Sequence, residues 1–309
     1  MSKRQPCRCV CLPHRAVKSS GQAAVPFRIN AGLVQSELRQ LIEQHYPAVK
    51  TAGFRLLPVA GLTGESWKIS SPAGDFLARH QSAQRQVSGA DRQRESAILR
   101  HIARHKLGPR VRLYSPPWLI VDWVDGTPLE EQAFTDASVR NALCERLVTL
   151  HQLPPSGYRL DLQQQFARYW QHIDRRRLTP RWLRLHHQML SQVPPSPLKL
   201  ALVHMDIHAG NVLNTPQGLR LIDWEYAANA DIALELAALI RGNDWNEQQK
   251  RAFLYEYVKA GGYQNLSLLQ QQVNRWIPWV NYLMLMWFEV RWQQTGENQY
   301  SEWAHPLRP

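Results

Sequence analysis

The chain has 309 residues, of which 44% are hydrophobic and 20% are charged, so it can form a large folded core. Its formal net charge of +12 could point to nucleic acid, but the sequence contains no zinc finger, basic zipper or RNA-recognition motif. The longest apolar stretch, at 275–292, is interrupted by Pro278, Asn281, Glu289 and Arg291, which argues against a membrane span. We therefore expect neither nucleic acid nor a membrane as a partner, and no obligatory protein partner.

The first 25 residues differ in composition from the rest of the chain. They contain five basic residues and no acidic residue, and without them the net charge falls to +7. Cys7, Cys9 and Cys11 could bind a soft metal, but no matching His/Cys set follows them. We expect a basic, disordered tail with reduced thiols, or a start codon assigned too far upstream. Because the remaining Cys144 has no obvious partner, we expect a cytoplasmic protein.

Residues 26–124 are predicted to form a small lobe that is rich in β-strands. The pattern predicts a helix at 33–46 and then short strands separated by glycines between residues 54 and 82. A second helix at 91–106 begins at Asp91, and "RVRLYS" and "WLIVDWV" follow as two further strands.

Residues 125–309 are predicted to form a larger lobe that is mainly helical. Helices are expected at 136–151, 162–175, 180–192, 231–242, 247–260 and 267–292. The exception is a strand–loop–strand region that contains "LALV" and "LRLID". We expect these two strands to pair as a hairpin through the turn "NTPQG".

Two acids and an amide lie between these two strands, in "LVHMDIHAGNVLNTPQGLRLIDWEY" at 202–226. A hairpin would bring Asp206, Asn211 and Asp223 to one end of the strand pair. Carboxylate and amide oxygens suit Mg²⁺, which is usually completed by substrate phosphates. If Asn211 and Asp223 hold the metal, Asp206 can orient a hydroxyl group and accept its proton, as in phosphoryl transfer from ATP.

A zinc site is the alternative for the same segment, because His204 and His208 are four residues apart. That spacing requires a helix that turns both imidazoles inward. Gly210 and the strands on both sides argue against a helix here, so the sequence favours magnesium over zinc.

The motifs "HMDIHAGN" and "IDWE" resemble the catalytic and metal-binding motifs of the aminoglycoside phosphotransferase and choline kinase families, distant relatives of the protein kinases. The resemblance implies an α+β fold, bilobal and protein-kinase-like, and a small-molecule kinase that uses ATP and Mg²⁺. It implies that Asp206 is the catalytic base and that His204 braces the catalytic loop. It also implies that Asn211 and Asp223 bind the metal.

The same resemblance implies a phosphate-binding region in the first half. The loop "GLTGES" supplies Gly61, Gly64 and Ser66 for close approach to the phosphates of ATP. Arg79 occupies the place where the family has a lysine, and its planar fork can also neutralise phosphate. Glu95 on the next helix would pair with Arg79, and the alternative for Glu95 is an exposed helix acid.

The strand "WLIVDWVDG" resembles the hinge between the lobes of these kinases. The resemblance implies that backbone groups near Asp122, Trp123 and Val124 receive the adenine. Because the backbone makes this contact, the side chains at these positions carry little information.

The last helices are rich in tryptophan, and "WFEVRW" places Glu289 between Trp287 and Trp292. Aromatic faces beside a carboxylate attract an organic cation. Together with "PFRIN" and "LIDWEYA", this segment resembles the bacterial thiamine kinase family, which implies phosphorylation of the thiamine hydroxyethyl group to thiamine monophosphate in salvage. Glu225, Trp287 and Glu289 are the candidates for contact with the thiazolium cation.

Two alternatives remain open at this point. A kinase of another small alcohol, such as choline, an amino alcohol or an aminoglycoside, fits the same motifs, since choline is also a quaternary cation. A nucleotide-binding pseudokinase is the other alternative and rests on the unusual Arg79. Asp231 and Glu235 are expected to cap and anchor a helix behind the metal-binding loop.

Overall fold

The computed structural model describes residues 31–59 and 66–309. The predicted tail at 1–25 and the loop glycines Gly61 and Gly64 lie outside the described residues. Within the described part, a small antiparallel sheet comes first and a mainly helical region follows it. The predicted bilobal α+β fold is therefore confirmed, while the boundary between residues 124 and 125 stays a prediction.

The first lobe contains a five-stranded antiparallel sheet in the order β1-β2-β3-β5-β4. Its strands are β1 (Arg55–Pro58), β2 (Ser66–Ser70), β3 (Phe76–His80), β4 (Val111–Ser115) and β5 (Trp118–Asp122). Its helices are α1 (Ala31–His45), α2 (Pro47–Ala52), α3 (Ala83–Val87) and α4 (Arg92–Ile102). The sequence predicted α1, α4 and the strands, but not the short helices α2 and α3.

Side chains alternate along β5 and enter two separate cores. Ile120 packs in one cluster with Leu38 of α1. Leu119 belongs to the main core, together with Ile98 of α4. Because neighbouring strand residues point to opposite faces, the sheet forms a middle layer between α1 and α4. The core on the α4 side continues into the second lobe.

Helix α4 begins where the sequence predicted. The Asp91 side chain accepts hydrogen bonds from the backbone N–H groups of Gln93 and Arg94, which caps the helix. The α-helix ends at Ile102, four residues before the predicted end, and a single 3-10 turn leads to Lys106 in the left-handed region (φ 52°).

Seven α-helices form most of the second lobe in the described part of the chain. They are α5 (Ala137–His151), α6 (Leu162–Trp170), α7 (Pro180–Ser191), α8 (Ile232–Gly242), α9 (Glu247–Lys259), α10 (Leu266–Thr295) and α11 (Asn298–Ala304). Six of them were predicted; α6 is shorter than expected, and α11 was missed. Among the described residues, no helix combines the length and the apolar character needed to cross a membrane.

The short strands of this lobe pair differently from the prediction. They are β6 (Thr127–Pro128), β7 (Leu200–Val203), β8 (Val212–Thr215), β9 (Gly218–Leu221) and β10 (Ala228–Asp231). The predicted pairing of "LALV" with "LRLID" is wrong, because β7 pairs with β10 while β8 and β9 form the hairpin. After β7 the chain turns at Met205 (φ 68°) and passes through the 3-10 turn Ala209–Asn211. The residues after that turn, rather than β7, therefore enter the hairpin.

Gly108 allows close packing where the two lobes meet. The Leu221 amide donates to the Leu107 carbonyl at 2.8 Å, and the buried Trp224 indole donates to the Leu221 carbonyl at 2.9 Å. A Cβ atom at Gly108 would lie 2.6 Å from the Trp224 indole nitrogen. The position therefore has no room for a side chain while Trp224 keeps its hydrogen bond.

We expect Gly108→Ala to lower the free energy of unfolding by about 1–3 kcal/mol, because the added methyl group overpacks a rigid junction. Gly242→Ala is the matched control, since a Cβ atom there meets nothing within 4 Å. Its effect should stay within about 1 kcal/mol. Urea unfolding of both variants measures the difference, and equal stabilities would contradict the packing argument.

Candidate active site

The loop after β7 holds Asp206 in a constrained position. Met205, the residue before it, has φ 68°, a conformation that costs a non-glycine residue about 1–3 kcal/mol. The carboxylate of Glu235 accepts hydrogen bonds from the backbone N–H groups of His204 at 2.5 Å and Met205 at 3.0 Å. Glu235 on α8 therefore holds the loop in its strained shape.

Glu235 is itself buried and well satisfied. It accepts a hydrogen bond from His151 Nε2 at 2.5 Å, and His151 Nδ1 contacts the Tyr257 hydroxyl at 2.7 Å. Although burial opposes it, the hydrogen bonds from His151 and from the loop lower the pKa of Glu235. Asp231 caps α8 and also accepts from the Trp276 indole at 2.7 Å. The predicted anchoring of α8 by these two acids is confirmed.

His204 connects the loop that contains Asp206 with the loop that contains Asp223. Its Nε2 donates to the Ile222 carbonyl at 2.9 Å, and its Nδ1 accepts from the Asp206 amide at 3.3 Å. Burial lowers the pKa of His204. The two hydrogen bonds and the lowered pKa together define a neutral imidazole with its proton on Nε2.

Asp206 and Asn211 form a hydrogen-bonded pair. Asn211 Nδ2 donates to the Asp206 carbonyl at 2.9 Å and to its Oδ2 at 3.0 Å. Burial of the carboxyl group raises the pKa of Asp206, and the negative charges of Asp223 and Glu225 raise it further. The Asp206 side chain is still 31% exposed, so a small molecule can reach it.

Asp223 lies beside this pair. The Ile222 amide donates to the Asn211 carbonyl at 3.0 Å, and Asp223 follows with φ 66°. Since Asn211 uses its amide nitrogen on Asp206, its side-chain oxygen is the atom that can face a cation. One amide oxygen next to a carboxylate is a donor set that fits Mg²⁺.

Arg79 on β3 joins the first lobe to this region. Its guanidinium is buried, with Nη1 bound to Glu95 and Nη2 bound to both Asp223 and Glu225. Burial alone would lower the pKa of Arg79, but the three carboxylates raise it by more. The predicted ion pair with Glu95 is present. Glu95 is 1% exposed, so the alternative of an exposed helix acid is wrong.

Arg92 is a second buried guanidinium that the sequence did not reveal as part of the site. Its Nη1 lies 2.5 Å from Glu95 Oε2 and 3.0 Å from Glu225 Oε2, and the residue is 1% exposed. In sequence, Arg92 and Glu95 look like an ordinary i,i+3 surface pair on a helix. Only the packing of α4 against the loop after β9 buries them.

The strand face that carries Arg79 also carries Ser66 and Lys68. Ser66 lies directly opposite Arg79 in the pairing of β2 with β3, and Lys68 is two residues along the same strand. Lys68 forms an ion pair with Asp75 at 2.6 Å and lies 4.3 Å from the centre of the Trp123 ring. Lys68 is a basic residue near the predicted hinge that sequence reasoning missed.

Two of the three predicted hinge amides are already engaged. The Asp122 amide donates to the Arg110 carbonyl at 2.9 Å, and the Trp123 amide donates to the Asp75 carbonyl at 3.1 Å. Within the described part of the chain, the Val124 amide makes no hydrogen bond to another backbone group. Val124 is therefore the amide that fits an external acceptor.

The residues predicted to contact the substrate cation, Glu225, Trp287 and Glu289, lie in two different clusters of side chains. Trp287 on α10 is linked to the loop after β9, because its indole nitrogen donates to the hydroxyl of Tyr226, the residue after Glu225, at 3.1 Å. Glu225 is 3% exposed and bound by both buried arginines of the network. Its charge is therefore already compensated within the protein.

Glu289 belongs to a different ion-pair cluster. Its carboxylate is buried and accepts from Arg177 at 2.6 Å and from Arg308 at 2.5 Å. Arg177 also stacks over the Trp292 ring at 3.9 Å. A carboxylate paired with two guanidiniums is a poor partner for a further cation, which argues against the predicted contact of Glu289 with substrate.

The zinc alternative finds no support. Among residues 31–59 and 66–309, no group of three or more His, Cys, Asp or Glu side chains is arranged to hold a metal. His204 also uses its Nε2 on the Ile222 carbonyl. The hard-oxygen pair of Asn211 and Asp223 is the better candidate for a cation.

Comparisons with known proteins point in the same direction. The sequence profile described as "Phosphotransferase enzyme family" matches residues 56–270. The thiamine kinase of Escherichia coli strain K12 is 35% identical over 286 residues, covering 89% of this chain and 94% of that protein.

Solved structures confirm the fold. The choline kinase LicA from Streptococcus pneumoniae has a TM-score of 0.71 at 15% identity and covers 88% of this chain and 97% of its own. An ethanolamine kinase from Plasmodium vivax has a TM-score of 0.70 at 13% identity, covering 92% and 94%. At these identities the likeness concerns the fold alone.

We expect Arg92→Met to lower the free energy of unfolding by roughly 3–5 kcal/mol, because it leaves buried carboxylates without one of their cations. Arg100→Met on the same helix removes an exposed arginine and should change stability by less than about 0.5 kcal/mol. Urea unfolding at neutral pH compares the two. A small effect at Arg92 would show that the network tolerates the loss of one guanidinium.

Proposed function

Because this chain belongs to the phosphotransferase enzyme family, we propose that it transfers the terminal phosphoryl group of ATP to the hydroxyethyl oxygen of thiamine. The products are thiamine monophosphate and ADP. The observation that carries the proposal is the pair of hydrogen-bonded loops that brings Asp206, Asn211 and Asp223 together. The choice of thiamine as acceptor rests on the similarity to thiamine kinase.

Asp206 is proposed as the catalytic base. Its Oδ2 accepts from Asn211, so Oδ1 is the oxygen that would face the hydroxyl group of the acceptor. As the bond from the acceptor oxygen to the γ-phosphorus forms, the proton moves to Asp206 and the bond to the β-phosphate oxygen breaks. His204 positions Asp206 by accepting a hydrogen bond from its backbone amide.

Asn211 and Asp223 are proposed to hold Mg²⁺ through the amide oxygen and the carboxylate. When bound, Mg²⁺ offsets the negative charge of the phosphate oxygens during transfer. Asp223 also contacts Arg79, so the proposed metal ligand and the proposed phosphate-binding residue touch each other. This contact couples the first lobe to the metal-binding loop.

The nucleotide is proposed to lie between the sheet and the loops of the second lobe. The Val124 amide would donate to adenine, since the amides of Asp122 and Trp123 are engaged within the protein. Arg79, with Ser66 opposite it, would approach the phosphates. Arg79, which stands where the family has a lysine, also binds Glu95, Asp223 and Glu225 through its two Nη atoms.

The aromatic surface at Trp287 and Tyr226 is proposed to receive the thiazolium ring. The two residues are joined by a hydrogen bond, and Tyr226 follows Glu225 in the loop after β9. A cation over an aromatic face gains about 0.5–2 kcal/mol without needing an uncompensated carboxylate. Glu289 has no part in this proposal because two arginines already bind it.

The first experiment measures ATP consumption by purified protein with Mg²⁺ and either thiamine, choline, an aminoglycoside or homoserine, with products identified by mass. We expect thiamine monophosphate, and we expect Asp206→Asn to reduce turnover by at least about 100-fold while ATP still binds. Phosphorylation of a different alcohol would support the proposed kinase activity and contradict thiamine as the acceptor. ATP binding without any product would favour the pseudokinase alternative.

Asp223→Ala tests the metal site separately from turnover. We expect Mg²⁺ to strengthen ATP binding by at least about tenfold in the wild type and to have almost no effect in this variant. Glu302→Ala, which removes an exposed carboxylate from α11, should behave like the wild type. Calorimetric titrations with and without Mg²⁺ give the ratio, and a wild-type ratio in Asp223→Ala would remove Asp223 from the metal site.

A further inference from the structure

A polar cavity of about 440 Å³ lies outside the candidate active site. The start of α4, the segment between β3 and α4, the turn between β4 and β5, and α6 all contribute to its wall. None of the residues proposed for catalysis or for binding metal and ATP lines it. Its volume is within the range of pockets that bind small molecules.

Two arginines line this cavity, and neither forms an ion pair with a carboxylate of the described residues. In the part of the chain that the structure describes, the half-buried Arg168 guanidinium makes no ion pair or hydrogen bond. Among the described residues, Arg94 donates to two backbone carbonyls, those of Gly89 at 2.6 Å and Glu225 at 2.7 Å. The Arg94 Nε is buried and has no partner within the described residues. Guanidinium groups removed from water need an anion to offset the lost hydration.

Among the described lining residues, Asp91 carries the one carboxylate, and this carboxylate is already hydrogen-bonded. The exposed Asp91 accepts from the backbone N–H groups of Gln93 and Arg94 as the cap of α4. Burial lowers the pKa of Arg94 and the nearby Arg168 lowers it further, although Asp91 raises it. The described wall therefore carries more positive than negative charge.

We propose that this cavity binds a phosphate group, either as the free ion or as the head of a small phosphate ester, between Arg94 and Arg168. Planar guanidinium groups bind phosphate oxygens through paired, charge-assisted hydrogen bonds. Tyr114 and Gln93 also line the cavity, and their side chains carry a hydroxyl and an amide that can donate to phosphate oxygens. Two arginines with these donors match the three terminal oxygens of a phosphate better than the two of a carboxylate.

Calorimetric titration with inorganic phosphate tests the proposal. The protein is first saturated with Mg²⁺ and a non-hydrolysable ATP analogue, so that phosphate cannot enter the nucleotide site. We expect one phosphate to bind the wild type, and Arg168→Gln to weaken this binding by about tenfold or more. Arg251→Gln removes the same charge from an exposed position on α9 and should change the affinity by less than about twofold.

Absence of phosphate binding to the wild type, or equal affinities of Arg168→Gln and Arg251→Gln, would overturn the proposal. Thermal melting checks that Arg168→Gln is folded, and Arg168→Lys, which keeps the charge but loses the fork, should bind with intermediate affinity. Glycerol 3-phosphate in place of phosphate distinguishes an ester from the free ion as the preferred ligand. Acetate binding as tightly as phosphate would assign the cavity to carboxylates instead.

Discussion

The buried charges around Arg79 and Arg92 are the constraint on which the candidate site depends. These two guanidiniums join Glu95 of α4 to Asp223 and Glu225 of the loop after β9. A buried carboxylate without its cation is strongly destabilising, whereas a complete network adds little net stability. The network therefore acts mainly on geometry. It fixes the positions of the sheet, α4 and the Asp223 loop relative to one another. Its ion pairs connect the first lobe to the second.

A second set of contacts holds the Asp206 loop from the other side. Glu235 binds the backbone of that loop, and His204 ties it to the Asp223 loop in a neutral form. The proposed base therefore lies between two rigid supports, one made of charged pairs and one made of hydrogen bonds. Both supports are made by side chains and backbone groups of the protein itself.

The local motifs were predictable because all of their functional residue types lie within short segments of the sequence. "HMDIHAGN" and "IDWE" place an acid, an amide and a second acid in loops beside apolar strands, and several helices have apolar residues at helical spacing. The strand pairing was not predictable in the same way. The sequence around β7 does not show that its partner is β10, which lies further along the chain than the β8–β9 hairpin. The sequence also could not show that Glu289 forms ion pairs with Arg177 and Arg308.

The sequence by itself determined the bilobal class, the two acidic loops and the pairing of Arg79 with Glu95. Each follows from spacing within a short segment or from a family pattern. Only the tertiary structure decided that Arg92 joins the network, that Val124 is the available hinge amide and that Arg94 and Arg168 face one cavity. The physical reason is that burial and charge compensation arise between elements far apart in the chain, and periodicity reports only which face of an element is apolar.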